Sequence, residues 1–151
     1  MPTALSTVSD TDRFLLHIHK EIEIAAPLSA AWDAMIEEIG PGLVKPDGTP
    51  MPLKLEAWPG GRYFRDLGAN AGHLWGHVQV IKPPTLLEIT GPLFMSSATI
   101  SHVQYRFTER GRATLLSFTH RAFGEISPEH REGVKSGWQS IINQIRARAE
   151  R

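Results

Sequence analysis

The sequence predicts an α+β fold in which a seven-stranded antiparallel sheet is followed by a long C-terminal helix. Three observations support this prediction: a first strand that alternates between apolar and polar residues, six further strand-like segments separated by glycine and proline, and a capped amphipathic helix at the end. A chain of 151 residues fits one domain. We expect a flexible N-terminal tail over residues 1–12 and a single domain over residues 13–151.

The first elements are a strand and a short helix. In FLLHIHKEIEI, which begins at Phe14, every even position except Lys20 is apolar, while the histidines and glutamates occupy odd positions. This pattern is typical of a strand with one solvent-exposed face. Pro27 suits the start of a helix, whose apolar residues recur at helical spacing until Gly40. The proline-rich segment 40–52 is predicted to be an extended loop.

Six strands and the long helix complete the predicted order. The strands are expected at residues 53–58, 62–67, 73–82, 86–90, 98–108 and 113–122. Ser127 is a good N-cap, Pro128 fits the first turn, and Val134 and Trp138 belong to an apolar stripe on the helix that follows.

The stretch LEAWPGGRYFRD contains two adjacent glycines that could form either a phosphate-binding loop or a hairpin turn. A dinucleotide-binding loop leads from a strand into a helix, whereas aromatic, strand-forming residues follow Gly61. Pro59 presets φ and the glycines supply the positive φ of a tight turn. We therefore interpret the stretch as a hairpin and expect no nucleotide cofactor, and indeed no cofactor of any kind.

Composition excludes several classes of function. There are 16 basic and 16 acidic side chains and no basic stripe, which argues against a nucleic-acid partner. The absence of cysteine excludes disulfides and thiolate zinc sites. Neither a signal peptide nor an apolar run of roughly 20 residues is present, so we expect a cytoplasmic protein that is not inserted in a membrane.

The seven histidines do not form a metal-binding pattern. His17 and His19 fall on the wet face of the first strand. His73 and His77 are four residues apart, which in a strand means about 13 Å, too far for one ion. We expect no metal site.

His120 is the histidine for which the sequence leaves two interpretations open. It shares a strand face with Leu116 and Phe118, so it is either a core histidine bonded to a neighbouring strand or to Tyr105, or a cavity acid–base group. The second role requires another polar group, for which Tyr105 and Glu88 are the candidates.

Four motifs resemble the SRPBCC, or START-like, superfamily, in particular its activator-of-heat-shock-protein-90-ATPase homologue branch. They are IEIAAPLSAAWDAM with Pro27 and Trp32, WPGGRYF, GHVQVIKPPTLLEIT and GWQSIINQI. The resemblance extends from about Phe14 to Glu150. It implies a helix-grip fold: a strongly curved seven-stranded sheet around the long helix, with one or two short helices after the first strand and an apolar cavity inside. Segment 40–52 stands where relatives usually carry a second short helix.

If the resemblance holds, part of the aromatic core lines a pocket. The predicted ligand-binding residues are Trp75, Phe94, Tyr105, Phe118, His120 and Trp138. Leu93, Phe94 and Met95 follow a Gly-Pro turn, and they either close the mouth of the cavity or pack in a homodimer interface.

The expected function is binding or carriage of a small apolar or amphipathic ligand without catalysis. One alternative is an enzyme of the polyketide cyclase or dehydratase type that uses His120 as acid–base. Another is a co-chaperone-like protein-interaction domain, since one fold supports all these functions.

Overall fold

The structure is a computed structural model and describes residues 13–151; the tail predicted over residues 1–12 lies outside them. The elements follow the predicted order. They are β1 (Leu15–Ile24), α1 (Leu28–Ile39), β2 (Lys54–Leu55), β3 (Arg62–Gly68), β4 (Ala71–Lys82), β5 (Leu86–Gly91), β6 (Thr99–Arg110), β7 (Ala113–Gly124) and α2 (Pro128–Ala149).

The seven strands form one antiparallel sheet in the order β1-β7-β6-β5-β4-β3-β2. Strands β2 to β7 are consecutive neighbours, and β1 joins the far edge beside β7. The predicted alternation of β1 is confirmed, because Leu16, Ile18 and Ile24 are buried while the histidines are exposed. The α+β prediction of a seven-stranded antiparallel sheet with a long C-terminal helix is therefore confirmed.

The strand predicted over residues 53–58 is much shorter than expected. Only Lys54 and Leu55 pair with β3, because the chain already turns at Trp58, whose carbonyl accepts a hydrogen bond from Gly61 N at 2.8 Å. Gly60 has a φ of +85°, and a side chain on Gly61 would clash with the carbonyl oxygen of Glu56. The hairpin interpretation of the two glycines is confirmed.

One helix follows β1, and the proline-rich segment 40–52 is an extended loop with an isolated bridge between Val44 and Pro50. The N-cap prediction for α2 is confirmed, since Ser127 Oγ accepts a hydrogen bond from His130 N at 3.1 Å. The stripe Val134, Trp138, Ile142 and Ile145 is buried against the sheet and α1. Neither helix of the described chain is long and apolar enough to cross a membrane.

Candidate functional site

A groove of about 610 Å³ runs beside α2. Four segments form its walls: the proline-rich loop, the ends of β3 and β4 that face each other, the loop between β5 and β6, and one side of α2. The lining residues are, in that order, Leu43, Val44, Lys45, Pro46 and Met51; Arg65, Gly72, His73, Leu74 and Trp75; Pro92, Leu93, Phe94, Met95 and Ser96; and Gly133, Gly137 and Ile141.

The groove has an apolar floor and a polar mouth. Leu43, Trp75 and Met95 are buried and form part of the floor. Lys45 and His73 are exposed, so the groove opens to solvent beside them. The arrangement suits a ligand that is largely apolar and enters from one side.

Two glycines of α2 widen the groove. A Cβ added to Gly133 or Gly137 would meet no atom within 4 Å, so the packing of the protein does not require glycine there. A glycine inside a helix costs about 1 kcal/mol relative to alanine. The missing side chains leave space that belongs to the groove.

The loop between β5 and β6 forms one wall of the groove. Leu93 adopts a φ of +57°, and its N–H donates to the carbonyl of Trp75 at 2.7 Å. This turn buries Leu93 and Met95 and leaves Phe94 between them 37% exposed. The ring of Phe94 lies 5.4 Å from Trp75 and 5.9 Å from Trp138, measured between centroids. The sequence left two roles open for this loop, closing the mouth of a cavity or packing in a homodimer interface. In this structure its side chains lie in the groove wall.

The six predicted ligand-binding residues form one continuous aromatic cluster. The ring contacts run from Trp75 through Phe94 to Trp138, which in turn contacts Phe118, Tyr105 and His120. Only Trp75 and Phe94 line the groove. The other four fill the core behind Phe94, and their contact with a ligand stays a prediction.

His120 is fully buried, and both of its ring nitrogens are occupied. Trp138 Nε1, which can only donate, lies 2.8 Å from His120 Nδ1, so Nδ1 carries no hydrogen. Nε2 therefore carries the hydrogen and donates to Ser101 Oγ at 2.9 Å. Burial lowers the pKa of His120 to about 4. The residue is a neutral core histidine whose partners are Ser101 and Trp138 rather than Tyr105.

Glu88 lies on the outer face of the sheet, opposite the buried Leu87 and Ile89. Its carboxylate accepts hydrogen bonds from Gln104 at 2.9 Å and His102 at 3.0 Å. Partial burial raises the pKa of Glu88, but these two hydrogen bonds outweigh it and the pKa is lowered. Glu88 is thus separated from His120 by the sheet.

Sequence reasoning missed much of the groove. The sequence predicts no site role for Arg65 or Gly133, His73 enters the predictions only as a metal ligand, and Gly137 enters them only within the motif GWQSIINQI. The glycines did leave a signal, because two glycines four residues apart inside an amphipathic helix are unfavourable unless something needs the space. Within residues 13–151, no three histidine or acidic side chains lie close enough together to hold a metal ion.

Comparisons with known proteins identify relatives of this fold. The family model described as Activator of Hsp90 ATPase homolog 1-like protein matches residues 26–150. CalU16 from Micromonospora echinospora is 23% identical, with a TM-score of 0.62 over 88% of this chain and 75% of that chain. Protein CV1439 from Chromobacterium violaceum is 16% identical, with a TM-score of 0.68 over 91% of this chain and 98% of that chain.

The crystal structure of Ara h 8.0201 is 13% identical, with a TM-score of 0.66 over 89% of this chain and 97% of that chain. No curated protein sequence matches the chain. At these identities the solved structures bear on the fold alone, and they confirm the helix-grip prediction.

Proposed function

Since the chain belongs to the family of Activator of Hsp90 ATPase homolog 1-like proteins, whose fold by itself does not determine function, we propose a function from the groove. The protein binds a small apolar or amphipathic ligand beside α2 and does so without catalysis. The observation that carries this proposal is the open groove of about 610 Å³ with an apolar floor. Ligand sites are typically concave, largely apolar and about 300–1,000 Å³ in volume.

The cyclase alternative has less support. An acid–base group must come within hydrogen-bond reach of its substrate. His120 is behind Phe94 and Trp138, its nitrogens are bonded to protein, and its pKa of about 4 keeps it neutral. Tyr105 is 1% exposed and packs on Phe118, and burial raises its pKa. Neither candidate acid–base group lines the groove.

One surface feature bears on the interaction-domain alternative. Leu15, Phe123 and Ile100 are paired across β1, β7 and β6 and are 42%, 63% and 70% exposed on the outer face of the sheet. An interaction through the outer face would depend on this apolar patch, whereas ligand binding depends on the groove. Substitutions in the patch should therefore affect a protein interaction, whereas substitutions in the groove should affect ligand binding.

Titration with Nile red, a neutral apolar fluorophore, tests the proposal. We expect saturable binding to the native protein, which Gly137→Leu abolishes because the new side chain enters the groove. Ser136→Leu is the matched control, since it adds the same side chain to the neighbouring, exposed position outside the groove. Absence of saturable binding, or equal binding by Gly137→Leu and the parent protein, would overturn the proposal.

A further inference from the structure

We propose that the ligand of the groove carries an anionic head group, and that Lys45, Arg65 and His73 bind this head at the mouth. The inference rests on the proposed function and specifies its ligand class: a molecule with an apolar body and a terminal carboxylate, phosphate or similar anion.

Arg65 and His73 form one side of the mouth. They are directly opposite each other in the pairing of β3 and β4, and both line the groove. Side chains opposite each other on neighbouring antiparallel strands project to the same face, about 5 Å apart at their Cβ atoms. A guanidinium and an imidazole N–H are thus placed side by side as hydrogen-bond donors.

Lys45 belongs to another wall of the groove. It lies in the proline-rich loop, where its N–H donates to the carbonyl of Thr49 at 2.9 Å and Asp47 Oδ1 accepts from Thr49 N at 2.9 Å. These bonds shape a tight turn at the groove edge. Lys45 therefore lines the groove from a separate segment of chain.

Lys45 and Arg65 bring formal positive charge to the mouth of the groove. In the described part of the chain, none of the three side chains forms an ion pair, and no carboxylate lines the groove. Asp66, next to Arg65, binds Lys54 Nζ at 2.9 Å and Gly68 N at 2.8 Å. Asp47 lies near enough to Lys45 for attraction but accepts its hydrogen bonds from Thr49.

The chemistry of the mouth and the floor together defines an amphipathic anion. Guanidinium groups bind the oxygens of carboxylates and phosphates in a forked geometry, and hydrogen bonds to charged acceptors are stronger than neutral ones. Leu43 and Met95 in the floor give an apolar tail hydrophobic contacts. A cationic head at this mouth would be repelled, and a neutral head would gain less.

Four ligands with the same ten-carbon tail test the head-group preference: decanoate, decyl phosphate, 1-decanol and decyltrimethylammonium. Their dissociation constants are measured by displacement of bound Nile red, below the concentrations at which micelles form. We expect the two anions to bind at least about tenfold more tightly than the alcohol, and the cation more weakly than the alcohol. Added salt should weaken binding of the anions and leave the alcohol unaffected.

The variant Lys45→Gln/Arg65→Gln assigns the preference to these side chains. We expect the ratio of the alcohol and decanoate dissociation constants to fall towards one, a readout that a general loss of folding would not produce. Arg112→Gln is the matched control, because it removes a positive charge in the β6–β7 turn outside the groove and should keep the ratio of the parent protein.

The outcomes separate this inference from the proposed function. Equal affinity for decanoate and 1-decanol, or tighter binding of the cation, would overturn the anionic head. An unchanged ratio in the double variant would overturn the assignment to Lys45 and Arg65. Each of these outcomes leaves the groove as a ligand site. Failure of Nile red and all four ligands to bind would overturn both.

Discussion

Trp138 Nε1 donates a hydrogen bond to His120 Nδ1 across 2.8 Å, which joins the C-terminal helix to β7 inside the core. His120 continues the link to β6 through Ser101 Oγ at 2.9 Å. A tryptophan can only donate, so this contact requires a neutral histidine with its hydrogen on Nε2. The packing of α2 on the sheet is therefore coupled to the protonation state of the buried His120 side chain.

The first prediction is that His120 makes stability fall in mild acid. The pKa of His120 is about 4 in the folded protein, against an ordinary value of 6.5, because burial disfavours the charged ring. Between these two values the unfolded chain binds the proton and the native protein does not. The contribution is thus complete above pH 6.5 and is lost as the pH falls towards 4, at up to about 1.4 kcal/mol per pH unit.

Urea unfolding across this pH range measures the effect. His120→Gln removes the titrating group and should flatten the slope relative to the parent protein. His17→Gln is the matched control, since it makes the same substitution at a histidine that is exposed on β1. A His120→Gln protein with the parent slope would contradict the prediction.

The second prediction separates the packing of Trp138 from its hydrogen bond. Trp138→Ala should lower the free energy of unfolding by about 3–5 kcal/mol, because it leaves a cavity among buried rings. Trp138→Phe keeps much of the ring packing but leaves His120 Nδ1 without a donor, and should cost about 1–3 kcal/mol. Chemical denaturation of the two variants gives both values. A loss below about 1 kcal/mol for the alanine variant would mean that Trp138 does not anchor the helix.

Most of the fold was predictable because its signals are local. The alternation of β1, the N-cap at Ser127 and the turn at Gly60 each depend on a few neighbouring residues. The strand predicted over residues 53–58 was wrong in length, because Leu53 N donates to the carbonyl of Gly40 instead and the chain already turns at Trp58. The bond to Gly40 is a tertiary contact, which strand propensity does not encode.

The site was less predictable because it is made by distant segments. Periodicity placed His120 and Trp138 correctly on inward faces, but it could not tell a side chain that fills the core from one that lines a groove. The groove exists because the loop at residues 40–52 and the loop at residues 92–96 meet the side of α2 that carries Gly137. No local sequence pattern predicts that these distant segments lie side by side.

The third prediction concerns an ion pair between the two helices, in which Glu38 is buried and the Arg148 side chain is 25% exposed. Arg148 Nε donates to Glu38 Oε1 at 2.6 Å, Glu38 is 1% exposed, and its Oε2 has no partner among the described residues. Burial raises the pKa of Glu38, although Arg148 opposes this effect. Arg148→Met should cost about 3 kcal/mol because it leaves a buried carboxylate unpaired.

The double variant Glu38→Met/Arg148→Met provides the decisive comparison. Replacing both partners removes the unpaired charge, so the double variant should be more stable than Arg148→Met alone. Free energies of unfolding for the two single variants and the double variant complete the cycle. Additive losses would show that the pair is not energetically coupled.

The last prediction is that Gly133 and Gly137 make α2 less stable but leave room for a ligand in the groove. Gly133→Ala and Gly137→Ala each place a methyl group where no protein atom lies within 4 Å, so neither should create a clash. Each should raise the free energy of unfolding by up to about 1 kcal/mol, since alanine favours the helix over glycine. The same methyl groups project into the groove, so Nile red should bind the double variant more weakly than the parent protein. A more stable protein with weaker binding is the expected pair of results, and it distinguishes a blocked groove from a damaged fold.

Ser136→Ala is the control, because it also raises helix propensity but at an exposed position outside the groove, and should leave binding unchanged. Unchanged binding by the double glycine variant would mean that the ligand does not lie against this side of the helix.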